Sequence, residues 1–462
     1  MKVPAVPYAS PAKIAAPALL LSGALDPVTP PRRAERAAEF MSNARHLVVA
    51  NAGSDSVSVI DVREDAVVET ISLRWQPKDY FGASPNALTF DPRGRSLYVC
   101  NGTQNAVAVV EFRPGRSRLL GLIPVGWFPG ALAYDAVHSK LHVANTKGIG
   151  SGRRARPPGP QSLNSHQYLG TVSLVPLPDR KQLVAHTRTV LANCRRERIE
   201  ASQLPARPGQ PPRPVPERAG EPSLFKHVIY IIKENRTYDQ VFGDIAKGNG
   251  DARLTIFGRK VTPNQHRLAE QFVLFDNLYC DGEVSVDGHS WSNSAYATDF
   301  NEKRWPPQYG LISAAVNGPA NTPASGHMWD LAAKKGLTYR SYGEYAQRVS
   351  EGDQMDAAPG VGGLVGHVAP KFRLPGMRDT DNVKVFFEEL DKFEAAYDST
   401  DATKRLPHFI VMSLGENHTQ GTRAGAPTPS AAVANNDWAV GQLVDRVSHS
   451  KYWPETAIFI IE

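Results

Sequence analysis

The first half of the sequence repeats itself at a spacing of 44 residues. Residues 84–101 (SPNALTFDPRGRSLYVCN) align with residues 128–145 (FPGALAYDAVHSKLHVAN), and residues 47–51 (LVVAN) repeat the end of both segments. Each copy alternates apolar and polar residues at period two and ends at Gly or Asn, which is typical of short strands joined by tight turns. A repeated unit of this kind buries its apolar face by stacking on its neighbours. The repeat therefore predicts a stack of antiparallel sheets.

The end of each repeat carries a further pattern. Residues 143–145 read Val-Ala-Asn, and the repeat as a whole resembles the YVTN type of β-propeller. Three copies fit before Leu177, whereas closed propellers use about 4–8 blades. We therefore expect a partial propeller over residues 46–177, with unpaired sheet edges that favour self-association. The resemblance implies a binding or scaffolding role for this part and no chemistry.

The chain begins with a segment of a different character. Residues 18–31 (ALLLSGALDPVTPP) predict a buried strand followed by a turn that carries Asp26. Over residues 12–50 the sequence resembles the C-terminal piece of α/β-hydrolases of the tripeptidyl-peptidase kind. No G-x-S-x-G nucleophile motif occurs in the sequence, so we expect Asp26 to be a turn residue. Residues 14–24 predict a buried strand rather than a signal peptide, because Pro17 interrupts the apolar run.

Composition limits the partners of the protein. Lys and Arg exceed Asp and Glu by 6 in 462 residues, which suits small anionic ligands but lacks the dense basic stripe of a nucleic-acid-binding protein. No run of about 20 apolar residues is present, so we expect no transmembrane segment. Residues 178–224 are rich in Pro and Arg and predict an exposed linker.

The second half, residues 225–462, changes to apolar runs that end in polar residues. Residues 227–232 (HVIYII), 272–279 (FVLFDNLY), 408–414 (HFIVMSL) and 456–461 (TAIFII) read as buried strands of an α/β domain. Ligands of open α/β sheets bind beyond the carboxyl ends of the strands. Glu234 and Asn235 follow the first run and His418 follows the third, so we expect a site that contains them.

Ser285 is the candidate nucleophile of this site. It follows the second apolar run and precedes residues 292–300, which look helical. The positive end of a helix favours an alkoxide and binds phosphate. A serine hydroxyl is a weak nucleophile unless a metal or base activates it. Ser290 is a rival nucleophile, and His289 is expected either to bind the leaving group or to fold back on the helix.

A resemblance covers residues 225–462. Residues 234–243 (ENRTYDQVFG), 281–291 (DGEVSVDGHSW) and 417–422 (NHTQGT) resemble the phosphoesterase family that holds phospholipases C and acid phosphatases, in the alkaline-phosphatase-like superfamily. The resemblance implies that Glu234, Asn235 and Ser285 bind a divalent cation of unknown identity, that Ser285 is phosphorylated, and that His418 contacts phosphate or metal. The family's strand corresponding to residues 457–462 continues into an Asp-Asp pair, so a C-terminally truncated, incomplete domain is expected.

The sequence thus predicts a multidomain protein with four segments. These are an α/β-hydrolase-like fragment (residues 1–45), a partial β-propeller (46–177), a linker (178–224) and an alkaline-phosphatase-like α/β domain (225–462). The expected function is metal-dependent hydrolysis of phosphate esters through a phosphoserine. The expected substrate is a phosphorylated small molecule or a phospholipid head group. The protein is expected to be inactive if the missing metal ligands are essential. The alternative is a non-catalytic propeller that binds or scaffolds. The family resemblance favours a periplasmic or extracellular location, although no clear signal peptide is present.

Overall fold

The structure, a computed structural model, describes residues 46–80, 82–146, 170–278, 282, 284–309, 319–349 and 353–462. The chain divides into two compact units. Of the residues just given, the first unit contains those up to Glu200 and those within 296–316 and 323–325, and the second contains those within 201–295, 317–322 and 326–462. The predicted hydrolase-like segment, residues 1–45 with Asp26, lies outside the described residues.

Three antiparallel sheets form most of the first unit. The first sheet contains three strands, the second four and the third three. Their bounds are β1 (His46–Asn51), β2 (Ser56–Asp61), β3 (Ala66–Ser72); β4 (Pro85–Phe90), β5 (Ser96–Asn101), β6 (Ala106–Glu111), β7 (Arg118–Pro124); and β8 (Pro129–Asp135), β9 (Lys140–Asn145), β10 (Thr171–Pro176). Each sheet pairs strands that are consecutive in the chain, as the period-two repeat predicts.

Apolar layers hold the three sheets together. Val57 and Val59 of the first sheet pack with Leu97 and Val99 of the second. On its other face the second sheet packs its own residues, among them Cys100, against the third sheet. The sheets therefore stack in chain order, and the buried residues between them exclude water from both internal layers.

Two helices occupy the start of the segment predicted as a linker. They are α1 (Arg180–Asn193) and α2 (Arg196–Ser202). Asp179 caps α1, and the helix packs on β7, where the Thr187 hydroxyl accepts a hydrogen bond from the Leu122 amide at 2.9 Å. Gly121 permits this approach, because a Cβ at that position would lie 2.6 Å from the Leu183 side chain. The first unit also includes α6 (Asp299–Tyr309).

A parallel sheet forms the centre of the second unit. Its strand order is β12 (Tyr339–Tyr342), β15 (Phe409–Leu414), β11 (His227–Lys233) and β16 (Thr456–Ile461). A small antiparallel pair, β13 (Ala346–Arg348) and β14 (Met355–Ala357), lies in the same unit. The helices are α3 (Tyr238–Phe242), α4 (Pro263–Gln271), α5 (Ser285–Ser294), α7 (Met328–Lys334), α8 (Asp379–Ala395) and α9 (Pro429–Ser448).

Both faces of the parallel sheet are covered. Helices α8 and α9 pack on one face, where Phe386 and Leu443 contact the sheet residues Ile229 and Ile231. On the other face Trp329 of α7 packs against Ile232. A sheet buried on both faces requires strands with continuous apolar runs, which β11, β15 and β16 have. These three strands are where the sequence predicts them.

The coarse architecture agrees with the sequence, and some elements differ. Antiparallel sheets precede a parallel sheet with helices, as predicted, but the described sheets do not close a ring. Residues 272–278 form no strand, and Phe272 and Val273 are exposed, so that prediction is wrong. Helix α5 begins at Ser285 itself rather than at residue 292. Within the described ranges, no helix has the length and apolarity needed to cross a membrane.

Candidate functional site

Two strand ends of the parallel sheet are tied together at the site. The Glu234 amide, just beyond β11, donates to the Asn417 side chain at 3.1 Å, beyond β15. The Arg236 guanidinium donates to the backbone carbonyls of Asn417 at 2.9 Å and His418 at 2.8 Å. Because β11 and β15 are parallel neighbours, their carboxyl ends meet at one edge of the sheet. This edge is where the sequence places the site.

Ser285 lies at this edge with Glu234 and Asn235. The Asn235 amide donates to the Ser285 hydroxyl oxygen at 3.2 Å, and Ser285 also hydrogen-bonds the Glu234 carboxylate. Ser285 is the first residue of the ten-residue helix α5, so it lies at the positive end of the helix dipole. Ser290 is buried instead, and its hydroxyl donates to the Val286 carbonyl at 3.0 Å. The geometry therefore favours Ser285 over Ser290 as the reactive serine.

His289 lies between two carboxylates. Its Nδ1 is 2.7 Å from Glu344 and its Nε2 is 3.5 Å from Glu234. Burial lowers the pKa of His289, but the charges and hydrogen bonds of Glu344 and Glu234 outweigh burial and raise the pKa to about 10. His289 is therefore a cation at neutral pH and cannot act there as a general base.

Glu234 remains ionised in this environment. The hydrogen bond from His289 lowers the pKa of Glu234 to about 2 against the effect of burial, and Ser285 and the charge of His418 act in the same direction. A carboxylate with so low a pKa is a poor proton acceptor, so Glu234 by itself does not deprotonate Ser285. His418 lies at the edge of the site, with its Nε2 4.0 Å from Glu234 and more than half of its side chain exposed.

Glu344 is the residue that the sequence reasoning missed. Its side chain is 2% exposed and accepts hydrogen bonds from His289 at 2.7 Å and Asn293 at 2.9 Å. Both donors lie on α5, so Glu344 fixes the helix that carries Ser285. Glu344 follows β12, whose four residues (YRSY) contain no apolar run. A polar residue directly after a strand is a signal for a site, but β12 has no apolar run by which the sequence would predict it. Glu344 therefore has no signal in the sequence.

The predicted cation site has oxygen donors of the kind that a hard cation prefers, but their number is small. The side-chain oxygens of Glu234, Asn235 and Ser285 are hard donors, which Mg²⁺ and Ca²⁺ prefer. Only Glu234 among these three carries a negative charge. Over the described ranges, no group of three or more His, Cys, Asp or Glu side chains is arranged to hold a metal ion. The three side chains thus fit a hard cation in ligand type, and one charge makes the affinity low.

Comparison with known proteins gives one family match. A model of the TAP-like protein family, an α/β-hydrolase family, matches residues 2–71. This segment overlaps residues 12–50, which resemble an α/β-hydrolase in sequence. Its described part forms β1, β2 and almost all of β3. The match covers a small fraction of the chain. No curated protein matches the sequence.

Solved structures resemble short parts of the chain. Hydrazine synthase of Kuenenia stuttgartiensis is 26% identical over 22% of this chain and 26% of its own, with a TM-score of 0.19. A candidate 6-phosphogluconolactonase from Bacteroides fragilis is 18% identical over 23% of this chain and 30% of its own, with a TM-score of 0.20. A candidate 6-phosphogluconolactonase from Bacteroides uniformis is 14% identical over 23% of this chain and 34% of its own, with a TM-score of 0.19. The chain spans about a quarter to a third of the length of these proteins.

The family assignment expected from the sequence is wrong. The matching family model is that of TAP-like proteins, and it lies at the opposite end of the chain from residues 225–462. No phosphoesterase, phospholipase C or alkaline-phosphatase family is found for those residues. The motifs on which that assignment depended are short strand-to-helix connections with the first turns of α3 and α5, and such connections follow strands in many α/β folds. The function of the site therefore has to be argued from its geometry.

Proposed function

We propose that the site at Ser285 hydrolyses phosphate esters, with the Ser285 hydroxyl as the nucleophile. The observation that supports the proposal is the contact of 3.2 Å between the Asn235 amide and the Ser285 oxygen at the start of α5. A donated hydrogen bond and a helix N-terminus both stabilise negative charge on that oxygen. The proposal depends on this geometry and on no family assignment.

The surroundings favour an anionic substrate. His289 is cationic, the exposed His418 lies 4.0 Å from Glu234, and the first-turn amides of α5 lie next to Ser285. In the reaction that we propose, the Ser285 oxygen loses its proton to solvent and forms a bond to phosphorus while the bond to the leaving oxygen breaks, and the leaving alkoxide takes up a proton from solvent. Water then attacks the phosphoserine and frees Ser285, releasing inorganic phosphate from a monoester or a phosphomonoester from a diester such as a phospholipid. Phosphorylated small molecules and phospholipid head groups both present the required ester.

A divalent cation belongs to the proposal. The residues that would hold it are Glu234, Asn235 and Ser285, and it would supply charge neutralisation for the phosphate oxygens. Because Glu234 is too weak a base to activate Ser285 alone, a cation is the activating group that the residues accommodate. With one anionic ligand, we expect saturation only at millimolar concentrations.

The test compares two serine variants of the full chain. We expect p-nitrophenyl phosphate to be hydrolysed in 5 mM Mg²⁺ or Mn²⁺, Ser285→Ala to lose about 10³-fold or more of the rate, and Ser290→Ala to retain it. EDTA should abolish the reaction. Equal losses in both variants, or no phosphate release with any divalent ion, would contradict the proposal.

Two other outcomes identify other functions. Hydrolysis of p-nitrophenyl acetate that EDTA does not affect favours an α/β-hydrolase activity, the class of the family whose model matches residues 2–71. No hydrolysis of either ester favours the non-catalytic alternative, in which the three antiparallel sheets are a partial β-propeller that binds or scaffolds. The order of the sheets along the chain supports that description of the first unit.

A further inference from the structure

One face of the third sheet is apolar and exposed. Strand pairing arranges its residues in two rows across the sheet, and Val172 and Leu174 at the edge are 65% and 62% exposed. The rows are Ala131, Ala144, Val172 and Ala133, His142, Leu174. We call these six residues the trailing face. A contiguous exposed apolar face of this kind marks an interaction surface.

The repeat shows what covers such a face. The residues 44 positions before His142 and Ala144 are Tyr98 and Cys100 in the second sheet. Both are buried, and they pack in one cluster with Leu141 and Val143 of the third sheet. Equivalent positions thus differ between the two sheets. In the second sheet they are covered by the third sheet, whereas in the third sheet they are exposed.

The first sheet carries the matching surface at the other end of the stack. Leu97 and Val99 are fully buried against the first sheet, and Leu47 and Val49 are their equivalents in the repeat. Leu47 and Val49 are only half-buried. Leu47 pairs with Ile60, and Ile60 pairs with Val67, which is 59% exposed. We call Leu47, Val49, Ile60 and Val67 the leading face.

We propose that two copies of this chain associate by packing the trailing face of each on the leading face of the other. This contact repeats between chains the packing of Tyr98 and Cys100 on Leu141 and Val143 within the chain. Two such contacts join two stacks of three sheets into a ring of six, within the range of about 4–8 that closed propellers use. The two contacts are related by a twofold axis, the commonest symmetry of homo-oligomers.

The experiment measures the mass of the full chain by analytical ultracentrifugation. We expect the unsubstituted protein to sediment at twice the chain mass of 50.4 kDa. Leu174→Lys on the trailing face and Val67→Lys on the leading face should each give a monomer. Val137→Lys should remain a dimer, because Val137 is 87% exposed in the turn between β8 and β9, outside both faces. Circular dichroism checks that each variant is folded.

Mixing the two monomeric variants tests the head-to-tail arrangement. A mixed dimer contains one Leu174→Lys chain and one Val67→Lys chain. The substituted trailing face of the first chain meets the substituted leading face of the second, so both substitutions lie in one contact. The other contact joins two unsubstituted faces. We therefore expect the mixture to recover a dimer that neither variant forms alone. A monomeric unsubstituted protein would overturn the proposal. A Val67→Lys variant that stays dimeric would overturn it as well, because the trailing face would then pair with itself.

Discussion

Replacing Glu344 with alanine removes the acceptor that fixes helix α5 and with it Ser285. The carboxylate accepts hydrogen bonds from His289 and from the buried Asn293, and both donors would lose this acceptor. A hydrogen bond to a charged group contributes about 1.5–3 kcal/mol, and breaking a buried ion pair from one side costs about 3–5 kcal/mol. We expect Glu344→Ala to lower the free energy of unfolding by about 3–5 kcal/mol. Glu344→Gln keeps an oxygen acceptor without the charge and should lose about half as much.

Hydrogen exchange of the α5 amides is the suitable assay. The chain has two compact units, so one global unfolding curve would mix their transitions. Exchange followed in peptides from α5 and α9, with EDTA present, reports the opening free energy of each helix separately. Glu388→Ala is the matched control, because Glu388 is exposed on α8 and its loss should change the free energy by at most about 0.5 kcal/mol. Equal protection of α5 in Glu344→Ala and Glu388→Ala would refute the reasoning.

Three further predictions concern stability. Burial lowers the pKa of His327, so the unfolded chain binds a proton more readily than the folded chain does. The free energy of unfolding therefore falls by up to about 1.4 kcal/mol per pH unit as the pH drops below 6.5. Hydrogen exchange of the α7 amides at pH 7 and pH 5, corrected for the intrinsic effect of pH on exchange, should show a smaller fall in His327→Gln, and an equal fall would contradict the assignment. Asp437 accepts hydrogen bonds from the backbone at the start of α4, so Asp437→Ala should lower the opening free energy of the α4 amides in hydrogen exchange by about 2–3 kcal/mol, whereas exposed Asp445→Ala should change it little. Gly121→Ala places a Cβ against α1 and should cost about 1–3 kcal/mol, seen as faster exchange of the α1 amides; unchanged exchange would contradict it.

The predicted linker illustrates how composition can hide an element. Residues 178–224 average to a Pro- and Arg-rich segment, yet all the prolines between Asp179 and Pro222 lie after residue 204. In α1, Leu183, Thr187 and Val190 recur at helical spacing and are buried. A shorter window would have separated this helix from the Pro-rich residues that follow it.

The wrong strand at residues 272–279 has a different cause. A short apolar run fits a buried strand or an exposed loop equally well when only periodicity is used. What decides is whether a partner strand and a covering layer are present, and residues 272–278 have no strand partner. The neighbouring runs at β11, β15 and β16 do have partners, which is why the same reasoning succeeded there.

Local sequence by itself determined the stacking repeat, three strands of the parallel sheet and the chemical groups at their ends. These follow from periodicity and from the backbone, which act over a few residues. Tertiary structure alone decided that Ser285 rather than Ser290 faces Asn235, that His289 is a cation between two carboxylates, and that Glu344 holds the helix. Charge and reactivity at a site depend on distances of a few ångströms between residues fifty or more positions apart, and only the folded chain sets those distances.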